Sequence, residues 1–213
     1  MSFALPKIYP ITDITISGLS HLEQVKRFAD GGAAFIQLRD KYSSPREFYA
    51  SAQAVMEFAK PRGIKVIVND RVEIALAVGA DGVHLGQDDL PVATARMLLG
   101  EKAIIGFSTH SLPQAVAASS LPLDYIAIGP VFSTQTKKDP DPIVGLEIVR
   151  EIRTVIDERP LVAIGGIDRS NYTSVIEAGA TSVAIIGDLL KDPETITASF
   201  RLLASGPHCN KHC

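Results

Sequence analysis

The sequence predicts a single closed (β/α)8 barrel, on three observations. Eight short, apolar, β-branched runs alternate with segments of helical periodicity along the 213 residues. The units recur roughly every 25 residues, as strand–helix pairs do. No Ser/Gly/Pro-rich linker interrupts them, so no room is left for a second domain. An open doubly wound sheet is the structural alternative, but such sheets usually carry about five or six strands.

The elements follow in order. Strand one is expected at 7–12, and the next helix sets Leu22, Val25, Phe28 and Ala29 on one face before stopping at Asp30-Gly31-Gly32. Strand two, 35–39, leads into Ser44-Pro45, an N-cap with proline in the first turn and Glu47 behind it. That helix buries Phe48, Ala52, Val55, Met56 and Ala59, and ends before Gly63. Strands three (65–70) and four (82–85) flank a unit closed by Gly79, and Gly100 precedes strand five (103–108). Strands six (125–132), seven (161–167) and eight (182–186) complete the set, with Gly179 ahead of the last. Uninterrupted apolar content is what a strand buried on both faces requires. The barrel is expected over 1–205, with 206–213 a disordered tail outside the eight units.

Composition narrows the function. Hydrophobic residues make up 46% and charged residues 21%, which suits a sizeable core. A net charge of −3 and a pI near 5.9 offer no electrostatic case for nucleic acid or an anionic membrane. No apolar stretch approaches the roughly 20 residues of a bilayer span, and Met1-Ser2-Phe3-Ala4-Leu5-Pro6-Lys7 does not read as a secretory leader. Both cysteines, Cys209 and Cys213, lie in the last five residues, so no disulfide framework is expected and a cytoplasmic location follows. The tail's His208, Cys209, His212 and Cys213 read as a frayed terminus.

A parallel strand delivers functional residues just past its C-terminal end, and polar clusters stand at several such ends. Gln37, Arg39 and Lys41 alternate at the end of strand two and so share a face, towards the interior or the mouth. An amide and two cations there require an anionic ligand or an acid partner such as Asp70 or Asp89. Asn69-Asp70 and Asp88-Asp89 supply hard oxygen ligands, and Mg2+ takes one or two such carboxylates plus phosphate oxygens and water. Asp70 can also serve as the N-cap of a helix starting at Arg71, whereas Asp88 reads better as charge at the N-terminus of the helix near Leu90-Pro91. Ser133-Thr134-Gln135-Thr136-Lys137-Lys138 sets hydroxyls and ammoniums after strand six, suited to a phosphate. Gly165-Gly166 and Ile186-Gly187 match the usual phosphate site of barrels. His84, inside an apolar run, reads as a satisfied core histidine, while His110 is open to either role.

Together these segments resemble the thiamine-phosphate synthase family over nearly the whole chain, from Tyr9 to about Leu190. The most specific pieces are Gln37-Leu38-Arg39-Asp40-Lys41, Val68-Asn69-Asp70, the run 80–89 and the run 129–137. The resemblance implies a (β/α)8 barrel that joins hydroxymethylpyrimidine pyrophosphate to thiazole phosphate and releases pyrophosphate. It implies that Gln37, Arg39, Lys41, Asn69, Ser108 and Lys137 contact the pyrimidine diphosphate, with catalytic parts for Lys137, Ser108, Arg39 and Lys41. It assigns Mg2+ to Asp70 and Asp89, and the thiazole phosphate to Thr134, Thr136, Gly166, Ile186 and Gly187. Where the family often has serine, this chain has Gly187, which removes a hydroxyl donor and keeps the backbone N–H. Two other readings compete. A thiazole tautomerase of the same fold needs no metal and tends to carry histidine where this chain has Gly129-Pro130; a non-catalytic phosphate sensor needs the phosphate loops without the acid pair.

Overall fold

All eight apolar runs form parallel strands: β1 (Ile8–Thr12), β2 (Phe35–Leu38), β3 (Lys65–Asn69), β4 (Gly82–Leu85), β5 (Ile104–Thr109), β6 (Tyr125–Ile128), β7 (Leu161–Ile164) and β8 (Ser182–Ile185). They pair in chain order, and Ile8 of β1 lies against Val183 of β8, which closes the barrel. The structure is a computed structural model that describes residues 4–134, 141–156 and 158–206. The helices are α1 (Ile14–Ser17), α2 (His21–Asp30), α3 (Pro45–Ala59), α4 (Val72–Val78), α5 (Val92–Leu99), α6 (Leu112–Ala118), α7 (Gly145–Val155), α8 (Tyr172–Glu177), α9 (Gly187–Leu190) and α10 (Ile196–Ala204). Among the described residues, no helix is long and apolar enough to cross a membrane. The expected tail at 206–213 falls almost wholly outside the described residues.

Alternation along each strand divides the apolar residues between two cores. Ile36 and Leu38 face the helices, where Phe28, Phe48 and Val55 cover them, while Phe35 points inward with Tyr9, Ile67, Ile104, Tyr125 and Val162. Both faces of β2 are therefore buried, which explains why its sequence shows no polar alternation. Helix starts follow local chemistry: Ser20 and Ser44 each accept from the N–H three residues on, and Glu23 and Glu47 reach back to complete capping boxes. Each such cap is worth about 1 kcal/mol.

Two strands end earlier than their composition suggests. Residues 129–132 and 165–167 are apolar but lie beyond β6 and β7. Their bonds continue locally, with Val131 N–H donating to Ile164 O at 2.9 Å and Phe132 N–H to Gly165 O at 3.0 Å. The two turns press together so closely that a Cβ on Gly129 would sit 2.3 Å from Ile164 O, and one on Gly165 2.5 Å from Pro130. Val131 and Ile167 are thus apolar because the turns are buried.

Candidate active site

At the C-terminal rim, the strand ends enclose a cavity of about 1050 Å³. Gln37, Arg39, Lys41, Asn69, Asp70, Asp89, Ser108, Thr134, Gly166, Ile186 and Gly187 all line it. Thr136 and Lys137 lie outside the described residues.

The two acids meet as their positions after β3 and β4 suggest. Asp70 and Asp89 are in side-chain contact; burial first, then the bond to Asp70 and its charge, push the Asp89 carboxyl above the ordinary range, against the Gly86 N–H and Lys41. Gly86 N–H donates to Asp89 Oδ2 at 2.7 Å, and the Lys41 ammonium is hydrogen-bonded to Asp70. Two touching carboxylates at a half-buried rim favour a cation between them. Asp70 is not an N-cap: α4 starts at Val72, its N-cap is Arg71, and no side chain caps it. Instead Asp70 is the one non-glycine residue with positive φ (61°) among those described, and Arg71 N–H bonds to Asn69 O at 2.7 Å across it. That tight turn aims the carboxylate into the mouth, and strained backbone of this sort clusters at functional sites. Asp88 also departs from expectation. No acid stands in the first turn of α5, which begins at Val92, and Asp88 lines the exposed mouth instead.

Past β2, alternate side chains do divide. Arg39 and Lys41 line the cavity, and Asp40 turns away against His21 of α2. The Arg39 guanidinium pairs with Asp13, whose side chain is buried and also caps α1 through Thr15 N–H at 2.9 Å. Asp40 accepts from Ser43 N–H (2.9 Å), Tyr42 N–H (3.0 Å) and His21 Nε2 (3.2 Å), and His21 Nδ1 lies 2.7 Å from Thr12 Oγ1. Burial pushes the Asp40 carboxyl up, but those donors outweigh it and hold it at about 2. Burial likewise lowers His21, with Asp40 opposing. Asp13, Asp40 and His21 thus anchor the segment that presents Arg39 and Lys41. The sequence reading missed all three, and the only signal was Asp40 lying between two rim cations.

His84 is the satisfied core histidine expected of it. It stacks on Tyr125 with ring centroids 5.5 Å apart, Nδ1 lies 2.9 Å from Tyr125 Oη, and Nε2 lies 2.8 Å from Ser108 Oγ. Burial holds its pKa at about 4, so the ring is neutral at pH 7. His110 bonds the Gly129 carbonyl through Nδ1 at 2.7 Å, with Asp141 Oδ2 3.5 Å from the same nitrogen. Across the mouth, Gly166 takes φ 63°, and a Cβ there would meet Ser133 O at 2.3 Å. Asp188, beside Gly187, is held by Arg169 (2.9 Å) and Lys191 (2.7 Å), which outweigh burial and keep its carboxyl low. The sequence reading did not foresee this triad, and Asp168 and Asp188 both line that end of the cavity with Lys191.

The buried histidine has a consequence for stability. Unfolding returns His84 from about 4 to the ordinary 6.5, so the unfolded chain binds more protons between those values. Stability should therefore fall as pH drops from 6.5 to 4, by roughly 3 kcal/mol from this group alone. His21 acts in the same direction and Asp89 in the opposite one, while Asp40 adds a further loss below about pH 4. Urea unfolding from pH 7 to 4 measures the slope, and a His84→Gln variant should flatten it. Equal slopes in the two proteins would remove His84 as the cause.

A closed parallel barrel with a rim of paired acids, cations and glycine turns defines a class, the TIM-barrel enzymes that act on phosphorylated small molecules. The comparisons narrow that class. Residues 8–189 match the family described as thiamine monophosphate synthase, and the chain belongs to that family. A thiamine-phosphate synthase from Koribacter versatilis is 42% identical over 203 residues, covering 92% of this chain and 94% of that protein. Another from Methanospirillum hungatei is 45% identical over 193 residues, covering 90% and 93%. A solved structure of thiamine phosphate pyrophosphorylase from Pyrococcus furiosus superposes with a TM-score of 0.83 at 34% identity, covering 93% and 94% of the two chains.

Proposed function

We propose that the rim residues divide thiamine phosphate synthesis between a pyrophosphate end and a phosphate end. The chain is a transferase of thiamine biosynthesis, and its substrates are small molecules. It joins hydroxymethylpyrimidine pyrophosphate to thiazole phosphate; the tautomerase and sensor readings are not favoured. The observation that carries the division is the contact between Asp70 and Asp89 beside Lys41 and Arg39. Asp70 and Asp89 would hold Mg2+, and their hard oxygens fit it; among the described residues no cluster of three His, Cys, Asp or Glu offers a closed site. When bound, the ion neutralises charge on pyrophosphate oxygens.

Gln37, Asn69 and Ser108 hold the pyrimidine, and Arg39, Lys41 and Lys137 face its diphosphate. The C–O bond breaks with its electron pair leaving on pyrophosphate, and the ring amine stabilises the pyrimidine cation left behind. The thiazole nitrogen then attacks. Thr134, Thr136, Gly166, Ile186 and Gly187 receive the thiazole phosphate, so no protein nucleophile is needed and the barrel acts by positioning and charge. A cavity of about 1050 Å³ lies at the upper end of small-molecule sites, which supports a site shared by two substrates.

Thiamine phosphate formation from both substrates should need added Mg2+ and stop on chelation. Lys137→Ala should lower kcat by about 10²-fold and change the KM for thiazole phosphate little, because the charge it faces grows only as the bond breaks. Thr134→Ala should act mainly on that KM. A Lys137→Ala enzyme with normal kcat and a raised thiazole KM would move Lys137 to the phosphate end.

A further inference from the structure

A hydrogen-bonded chain crosses the barrel floor and joins two substrate-facing side chains. Gln37 Nε2 donates to Tyr9 Oη at 3.0 Å, Tyr9 Oη lies 3.0 Å from Tyr125 Oη, and His84 bridges Tyr125 Oη and Ser108 Oγ at 2.9 and 2.8 Å. Tyr9, Tyr125 and His84 have no part in the chemistry above. We propose that Tyr9, Tyr125 and His84 form a one-way relay that locks the Gln37 amide and thereby selects an aminopyrimidine over its oxo counterpart. The inference rests on Gln37 and Ser108 meeting the pyrimidine.

Proton counting sets the direction. A phenol has one proton to give. Tyr9 accepts from Gln37, so its own proton goes to Tyr125, whose proton goes to His84 Nδ1. Both phenols keep their protons, because burial pushes them above the ordinary range. A neutral His84 that accepts at Nδ1 carries its proton on Nε2 and donates it to Ser108. Gln37 is left with Oε1 as its acceptor and Ser108 with its O–H as a donor, and both residues line the cavity. An aminopyrimidine offers the complement, an amine that donates and ring nitrogens that accept.

The oxo counterpart sets a carbonyl against Oε1. To receive it, the amide must turn over, and then Tyr9, Tyr125, His84 and Ser108 must all reverse, with the histidine changing tautomer. An isolated glutamine flips freely; one tied to this chain does not. Leaving two buried acceptors face to face is the alternative, and sites built on such bonds reject the wrong group strongly.

The test compares dissociation constants of the amino- and oxo-pyrimidine diphosphates, measured calorimetrically with Mg2+ present. The intact chain should prefer the amino form by about 10²-fold or more. Tyr125→Phe cuts the relay but keeps the stacked ring, and the double variant Tyr9→Phe with Tyr125→Phe removes both phenols that the Gln37 amide meets. Each should reduce the preference at least about tenfold while leaving the KM for thiazole phosphate unchanged. Equal weakening of both ligands, or an unchanged ratio, would overturn the relay. Nitrogen NMR of the unmutated protein needs no folded variant: a proton on His84 Nε2 is expected, and one on Nδ1 overturns the stated direction. Gln37→Leu separates the underlying assignment. If it leaves pyrimidine binding untouched, Gln37 does not meet the pyrimidine and the proposal falls with that assignment. If it abolishes the preference and Tyr125→Phe does not, the relay alone is wrong.

Discussion

Asp89→Ala is expected to lower kcat/KM by about 10²- to 10³-fold while the fold survives. Its carboxyl is pushed up by burial and by contact with Asp70, so the folded state already disfavours its charge. Removing it relieves that repulsion and should leave the melting temperature unchanged or higher. Asp89→Asn keeps an acceptor for the Gly86 N–H and should lose activity to a similar degree, because what it removes is the charge. Mg2+ titration of turnover is the decisive measurement, since both variants should need far more metal. The same elevation means that protons compete with the metal at higher pH than at an ordinary carboxylate, so the apparent Mg2+ affinity should weaken early on acidification. An Asp89→Ala enzyme with unchanged Mg2+ dependence would refute the two-aspartate site.

Arg39→Ala should lose both activity and stability, for separable reasons. The guanidinium lines the cavity, and its loss removes a cation from the leaving pyrophosphate, with turnover down about 10²-fold. It also strands Asp13, whose side chain is 5% exposed, without its cation. Breaking one side of such a buried pair costs about 3–5 kcal/mol. Combining Arg39→Met with Asp13→Asn removes both charges and keeps a side-chain oxygen to cap α1, so urea stability should largely return while turnover does not. If the double variant recovers activity as well, Arg39 serves the fold and not the chemistry.

Much of this molecule was legible in its sequence. The strands read as unbroken apolar runs because both faces of a parallel barrel strand are covered. Ser44, Pro45 and Glu47 announced the start of α3 because a cap is satisfied within three residues. Gln37, Arg39, Lys41, Asn69, Asp70, Asp89 and Thr134 were found because they stand at or past the ends of strands, and Ser108 through the family resemblance. The limits were equally physical. Residues 129–132 carry strand composition, yet they lie beyond β6 in a buried turn pressed against Ile164 and Gly165. Asp70 read as a metal ligand that could also cap a helix, and its turn removes only the second role.

The sequence by itself determined the barrel, the end of it that does chemistry, and the side chains gathered there, since these depend on burial and on order along the chain. Only the tertiary structure decided how those side chains are spent. Arg39 pairs with Asp13, 26 positions away, Asp40 with His21, 19 away, and Tyr9 meets Tyr125 across 116. Charges and hydrogen bonds act over a few ångströms of space, and those distances exist only once β8 has closed on β1.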